Sequence, residues 1–283
     1  MDAITIAVVT EADRLLVKAL QQLAPVLKAL EGRVMVVGGL MTRLWLFAYP
    51  IGLPPRATVD VDLGIDRKLL GLTSKSQVVR PLLEEHGFVP GAADPDQPFR
   101  FYKTVSPGQN VIVDLLMAPG ASKDDPPLLE RNLTSVAAPG LAYGLLRGVQ
   151  PMAVDFCDGD EHIRVQLPLP HVDAAFVMKA ELTRTGLRIR PDRRRVDTVD
   201  AVSLASACLK SKDGLRPLKE HARRSDVKGA LCWLAESFHD SKSAPARRVE
   251  QHFREEFGRM DGDRWAVRVV KQFMSSLNSE GQA

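Results

Sequence analysis

Val34-Met-Val-Val-Gly-Gly-Leu-Met-Thr-Arg-Leu-Trp45, followed closely by Arg56-Ala-Thr-Val-Asp-Val-Asp-Leu-Gly-Ile65, is the stretch on which the fold turns. Val34 to Val37 is an apolar run of the right length for a buried strand. Gly38 and Gly39 interrupt it, and an apolar helical pattern continues through Leu40, Leu44 and Phe47. A strand that turns on two glycines into a helix points free backbone N–H groups into the turn, where phosphate is the usual guest. In Val59-Asp-Val-Asp-Leu-Gly-Ile65 the apolar residues alternate with Asp60, Asp62 and Gly64. Side chains alternate along a strand, so Asp60 and Asp62 project from one face. Two carboxylates held that close repel unless a cation lies between them. Mg²⁺ suits the place, because it takes a few hard oxygens and keeps room for phosphate.

The rest of the composition bounds the class. A chain of 283 residues holds one large domain or two ordinary ones, and 45% apolar residues suffice for a core. The net charge of +3 says little, but its distribution says more: between Lys179 and Lys228, 14 Lys and Arg face 7 Asp and Glu. Three scattered cysteines, Cys157, Cys208 and Cys232, argue against a disulfide framework and fit a reducing compartment; no Cys–Cys or Cys–His spacing for zinc stands out. Asp2, Glu11 and Asp13 come too early for a signal peptide. The most apolar window, Val34 to Leu53, contains the glycine pair, Arg43 and Pro50, and makes a poor membrane span. A soluble, cytoplasmic protein with no membrane partner is expected.

Taken in order, Thr10 to Leu30 reads as a helix capped by Thr10, with Leu15, Leu16, Ala19, Leu20, Leu23, Leu27 and Leu30 inward. Tyr49 to Arg56 is a proline-rich loop, and Ser76 to His86 a second helix closed by Gly87. Phe99 to Val105 and Val111 to Met117 read as a pair of strands around a Pro107-Gly108 turn. Asp114 lies in the middle of the second, where an unpaired carboxylate is costly to bury; beside Asp60 and Asp62 it would be a third acid. Residues 118–150 give no clear pattern. Pro151 to Cys157 and His162 to Leu167 flank an Asp158-Gly159 turn as a hairpin, whose acids are too few for a calcium loop. After Pro168-Leu-Pro-His171 the chain reads as helical. Lys179 sits on the apolar stripe of Val172, Ala175, Phe176, Leu182 and Thr183, and Asp197-Thr-Val-Asp200 puts two acids on one helix face. The aromatics of the last helices, including Phe253, Trp265 and Phe273, read as core.

Gly-Gly, a helix and Asp-x-Asp on a strand, followed by a lysine and Asp-x-x-Asp, resembles the nucleotidyltransferase superfamily. Residues 34 to 204 look most like its AbiEii-type branch, the nucleotidyltransferase toxins of type IV toxin–antitoxin pairs. The resemblance implies an α/β fold: a catalytic domain over 1–170 with a mixed sheet and flanking helices, then a helical domain over 171–283 that completes the nucleotide cleft. Asp60, Asp62 and Asp114 would hold Mg²⁺, two ions in all, on a nucleoside triphosphate. Gly38, Gly39 and Thr42 or Arg43 would cradle phosphates, Lys179 would neutralise the triphosphate, and Asp197 or Asp200 would orient Lys179 or the nucleotide. The expected reaction moves a nucleoside monophosphate to an RNA acceptor, the 3′ end of tRNA, with an antitoxin protein as partner. Arg188, Arg190, Arg193, Arg194 and Arg195 are candidates for gripping the RNA backbone, or else form a solvated run. The alternative is an aminoglycoside-type nucleotidyltransferase, whose polycationic substrate the arginines would repel.

Overall fold

The structure, a computed structural model, describes residues 3–30, 32–53, 58, 60–65, 79–91, 100–118, 136–186 and 191–279. The protein is a mixed α/β chain. It divides into two compact units: residues 1–47 with 54–170, and residues 48–53 with 171–283. The six residues 48–53 belong to the second unit by contact. Within it Tyr49 donates its hydroxyl to Ser211 at 3.3 Å, and Lys210 donates to the carbonyl of Pro50.

The first unit opens with strand β1 (Ile4–Ala7) and helix α1 (Glu11–Ala29). Thr10 caps α1 in a full capping box with Asp13: each side chain takes the other residue's backbone N–H. Leu16, Leu20, Leu23 and Leu27 are buried at helical spacing. Strand β2 (Val34–Val37), buried throughout, feeds helix α2 (Gly38–Ala48), and β3 (Asp60–Ile65) returns antiparallel to β2. Helix α3 (Val79–Glu85) and the short β4 (Val89–Pro90) follow, then β5 (Arg100–Ser106) and β6 (Gln109–Met117). The strands form one sheet in the order β2-β3-β6-β5-β4, with β3 parallel to β6, and β7 (Val136–Ala137) joins β6 at Leu116 and Met117.

Helix α4 (Leu141–Arg147) fills part of the stretch that had no clear sequence pattern. Its Leu141 lies over Gly64, where an added Cβ would come within 2.8 Å of a Leu141 methyl carbon. The hairpin β8 (Val149–Asp158) and β9 (Glu161–Pro170) then builds a second sheet, in the order β1-β8-β9. Asp158 pairs with Glu161, so the two loop residues are Gly159 and Asp160, and Gly159 supplies the positive φ of 62° at the first. Trp45 of α2 donates its indole N–H to the carbonyl of Pro170 at 3.1 Å, which ties α2 to the end of β9.

The second unit is helical among its described residues: α5 (Val172–Thr185), α6 (Pro191–Lys210), α7 (Arg216–Glu220), α8 (Ser225–Ser237), α9 (Ala244–Phe257) and α10 (Gly262–Ser279). Phe253 stacks against Phe257 and Trp265, and Phe176 against Phe273, with ring centroids 5.2 to 5.6 Å apart. Phe176, Phe253 and Phe273 are fully buried, so these aromatics are core. Among the described residues no helix is long and apolar enough to cross a membrane.

Candidate functional site

Two acids of the first unit, Asp62 and Asp114, lie on one rung of the six-stranded sheet. Val37 of β2, Asp62 of β3, Asp114 of β6 and Arg100 of β5 are successive register partners. Register partners share a face and stand about 4.8 Å apart across a parallel pair. Asp62 and Asp114 are therefore neighbours on one face, with Asp60 two residues along β3 on that same face. The opposite face is covered by α1. Lys103, which alternates to that side with Phe101, donates to Gln22 of α1 at 2.5 Å and to the carbonyl of His86 at 2.6 Å.

Gly38 completes the rung. Its φ of 68° is the left-handed value that favours glycine, and a Cβ there would sit 1.7 Å from Oδ2 of Asp62. The end of β2 and the start of α2 thus pass directly over the Asp62 carboxylate, a closeness that only a residue without a side chain permits. Gly39 follows in the first turn of α2. The hydroxyl of Thr42 donates back to the carbonyl of Gly38 at 3.2 Å.

Asp114 is buried, and both of its oxygens accept from Arg100, Nε to Oδ1 and Nη2 to Oδ2, each at 2.7 Å. This fork raises the pKa of Arg100 above its ordinary value. The sequence reading missed Arg100, because its pairing depends on strand register rather than on local pattern. The three carboxylates share a face without converging: they do not bring an oxygen each within 4.8 Å of one another. An all-oxygen set beside a glycine turn fits a hard cation such as Mg²⁺ in donor chemistry, and the Arg100 cation is what balances Asp114 in its place.

Arg43 is paired with an acid of α1. Its Nη2 lies 2.5 Å from Oδ1 of Asp13, both side chains are 7% exposed, and its guanidinium carbon sits 5.7 Å from the centre of the Phe47 ring. Burial pushes the Asp13 carboxyl up, but hydrogen bonds from Arg43 and Thr10 outweigh it and bring the pKa down to about 2. Arg43 joins α2 to the start of α1. The signal was present in the sequence, since Arg43 falls on the apolar stripe of Leu40, Leu44 and Phe47 and a buried guanidinium requires an acid.

In the second unit, Lys179 of α5 places its ammonium 2.8 Å from Asp197 Oδ1 and 2.8 Å from Asp200 Oδ2, both on α6. All three side chains are 8% exposed or less. One ammonium thus bridges two buried carboxylates and ties α5 to α6.

The arginine run divides. Arg188 and Arg190 lie outside the described residues. Arg193 is exposed on the first turn of α6, Arg194 donates to the carbonyl of Gly186 at 3.3 Å, and Arg195 pairs with Glu255 at 2.8 Å. A second basic feature is formed by Arg264, Arg268 and Lys271 on one side of α10. With His239, Asp240 and Ser241 they line a cleft of about 460 Å³, in which three cations face one acid. Their spacing of four and three residues was legible in the sequence. No protein-family model, no curated protein and no solved structure matches this chain.

Proposed function

We propose that the chain is a Mg²⁺-dependent nucleotidyltransferase, with a nucleotidyltransferase-type fold in its first unit, that moves a nucleoside monophosphate from a nucleoside triphosphate to RNA. The observation that carries this reading is the close packing of Gly38 on Asp62 with Asp114 one strand away. It places a glycine turn suited to phosphate against an oxygen set suited to a divalent cation. When bound there, Mg²⁺ supplies charge neutralisation at the triphosphate.

The chain's own residues do the rest. The start of α2 at Gly38 and Gly39 binds phosphate oxygens through backbone N–H groups. Arg100 holds the Asp114 carboxylate in a fixed orientation, using one lone pair on each oxygen and leaving another. Asp114 takes the proton of the acceptor hydroxyl as that oxygen bonds to the α-phosphorus. The bond from the α-phosphorus to the bridging oxygen breaks, and pyrophosphate leaves with the electron pair. Most of the rate enhancement in such chemistry comes from positioning and charge. The resemblance to AbiEii-type toxins gives Lys179, held by Asp197 and Asp200 within the second unit, a role in the transfer.

An anionic acceptor is supported over a polycationic drug by the basic cleft of Arg264, Arg268 and Lys271 and by exposed Arg193. The resemblance to AbiEii-type toxins narrows the acceptor to the 3′ end of tRNA and adds an antitoxin as partner. The test incubates the protein with each labelled nucleoside triphosphate, Mg²⁺ and total RNA. Label is expected in tRNA with wild type and not with Asp62→Ala. Label absent from all RNA, together with protection of cells from an aminoglycoside, would transfer the reading to a small-molecule acceptor.

A further inference from the structure

We infer a second cation site, of a different chemical kind, on the outer face of the β8–β9 hairpin: Asp155, Cys157 and His162 form a binding site for a borderline metal ion of the zinc class.

Along β8, Met152, Val154 and Phe156 are buried, while Asp155 and Cys157 alternate to the outer side. Cys157 is the register partner of His162 on β9, so the three side chains stand together on one face. Their donor atoms all lie within 4.8 Å of one another. Nδ1 of His162 is 3.4 Å from Sγ of Cys157 and 3.1 Å from Oδ2 of Asp155.

Two features separate this arrangement from a nucleophilic Cys-His-Asp relay. A relay needs the thiol on one ring nitrogen and the carboxylate on the other. Here both approach the same nitrogen, so the three donors converge on a point rather than forming a line. Two of the three edges also match a tetrahedral ion. With metal–sulfur near 2.3 Å and metal–nitrogen or metal–oxygen near 2.0 Å, tetrahedral angles require about 3.5 Å between S and N and about 3.3 Å between N and O.

A separate observation concerns the carboxylate. Oδ1 of Asp155 is buried and has no hydrogen-bond partner among the described residues. An ion held by Oδ2 would offset that cost. His162 is 61% exposed at its side chain, so the fourth position is open to water or to an exogenous ligand. A thiolate selects a zinc-class ion over Mg²⁺, which distinguishes the site from the all-oxygen set on β3 and β6. On binding, the thiol and the Nδ1 position give up their protons to solvent. The other cysteines differ: Cys208 is fully buried and burial pushes its thiol pKa well up, whereas Cys232 is exposed and lies on α8.

The test titrates Co²⁺ into the chelator-treated full chain under anaerobic conditions. Expected are visible bands of tetrahedral intensity and a near-ultraviolet sulfur-to-cobalt charge-transfer band. Both should saturate at one ion per chain and be bleached by Zn²⁺. Cys157→Ser should abolish the charge-transfer band, Cys232→Ser should leave it intact, and His162→Ala should weaken binding by more than about tenfold. All three ligands face outward, so circular dichroism should be unchanged. Should Cys157→Ser fail to fold, Asp155→Asn, nearly isosteric, must show the same loss of affinity. A weak octahedral spectrum in wild type, or a charge-transfer band that survives Cys157→Ser or a full-affinity Asp155→Asn, overturns the site.

Discussion

The Cα of Gly38 lies against the carboxylate of Asp62, so that a methyl group at Gly38 would fall 1.7 Å from an Asp62 oxygen. The glycine turn and the acidic strand, separate in the sequence, are one structural feature. Gly38→Ala must both strain a backbone at φ 68° and displace the acid. We expect a loss of about 2–4 kcal/mol in stability and loss of nucleotidyl transfer even at a temperature where the variant is folded. Gly32→Ala is the control. Its φ is 72° and nothing lies within 4 Å, so only about 1 kcal/mol and no activity should be lost. Thermal melts and transfer assays on both variants check this. Equal effects would mean that backbone strain, not the carboxylate, sets the requirement for glycine at 38.

The Arg100–Asp114 fork yields a prediction in two directions. Asp114→Asn removes an anionic oxygen donor and should weaken Mn²⁺ binding, followed by electron paramagnetic resonance. Arg100→Gln removes a competing cation and should strengthen the same binding, on the order of tenfold at close range. If Arg100→Gln instead weakens binding as much as Asp114→Asn does, Arg100 acts only by holding the carboxylate in place.

Lys179 makes a stability prediction that is independent of chemistry. Lys179→Met leaves Asp197 and Asp200 buried without their shared cation and should cost about 3–5 kcal/mol in urea unfolding. Adding Asp197→Asn and Asp200→Asn removes the two buried charges that Lys179 had paired and should recover most of that loss. Transfer should stay absent in the triple variant if the lysine serves the triphosphate. Activity returning along with stability would reduce the cluster to a structural tie between α5 and α6.

Asp13 sets an acid limit. Its pKa is lowered from 3.8 to about 2, so the folded state favours the ionised carboxylate. The stabilisation is therefore complete above pH 4 and is lost as pH falls through about 2. Asp13→Asn should be less stable than wild type by about 1–2 kcal/mol at pH 7. The gap in melting temperature between the two should narrow as pH falls from 4 towards 2. A gap of constant size across that range would show that the carboxylate charge is not what Arg43 requires.

The parts of this molecule that were legible in the sequence are those whose signal is local. The β2 run, the glycine pair, the alternation around Asp60 and Asp62 and the Thr10 cap are written in periods of two or 3.6 and in side chains that satisfy their own backbone. What was not legible depends on register and distance. Strand β1 offers only Ile4-Thr-Ile-Ala7, and its partner β8 lies far along the chain. Arg100 becomes a partner of Asp114 only because β5 and β6 pair in a register with a shift between Thr104 and Ser106. Helix α4 is short, and its Leu141 packs where Gly64, far back in the chain, carries no side chain. For Arg43 the place on the apolar stripe is local and visible, but its partner Asp13 lies 30 residues away.

The second unit includes residues 48–53, which are separated from its other residues by more than a hundred positions. Pro50 and Lys210, which meet there, are 160 residues apart. On a ribosome adding roughly 5–20 residues per second, the early segment waits on the order of ten seconds for its partner. Through that interval Pro50 has been made but its partner Lys210 has not. Synthesis order and assembly order therefore differ in this protein: the unit made last contains some of the residues made first.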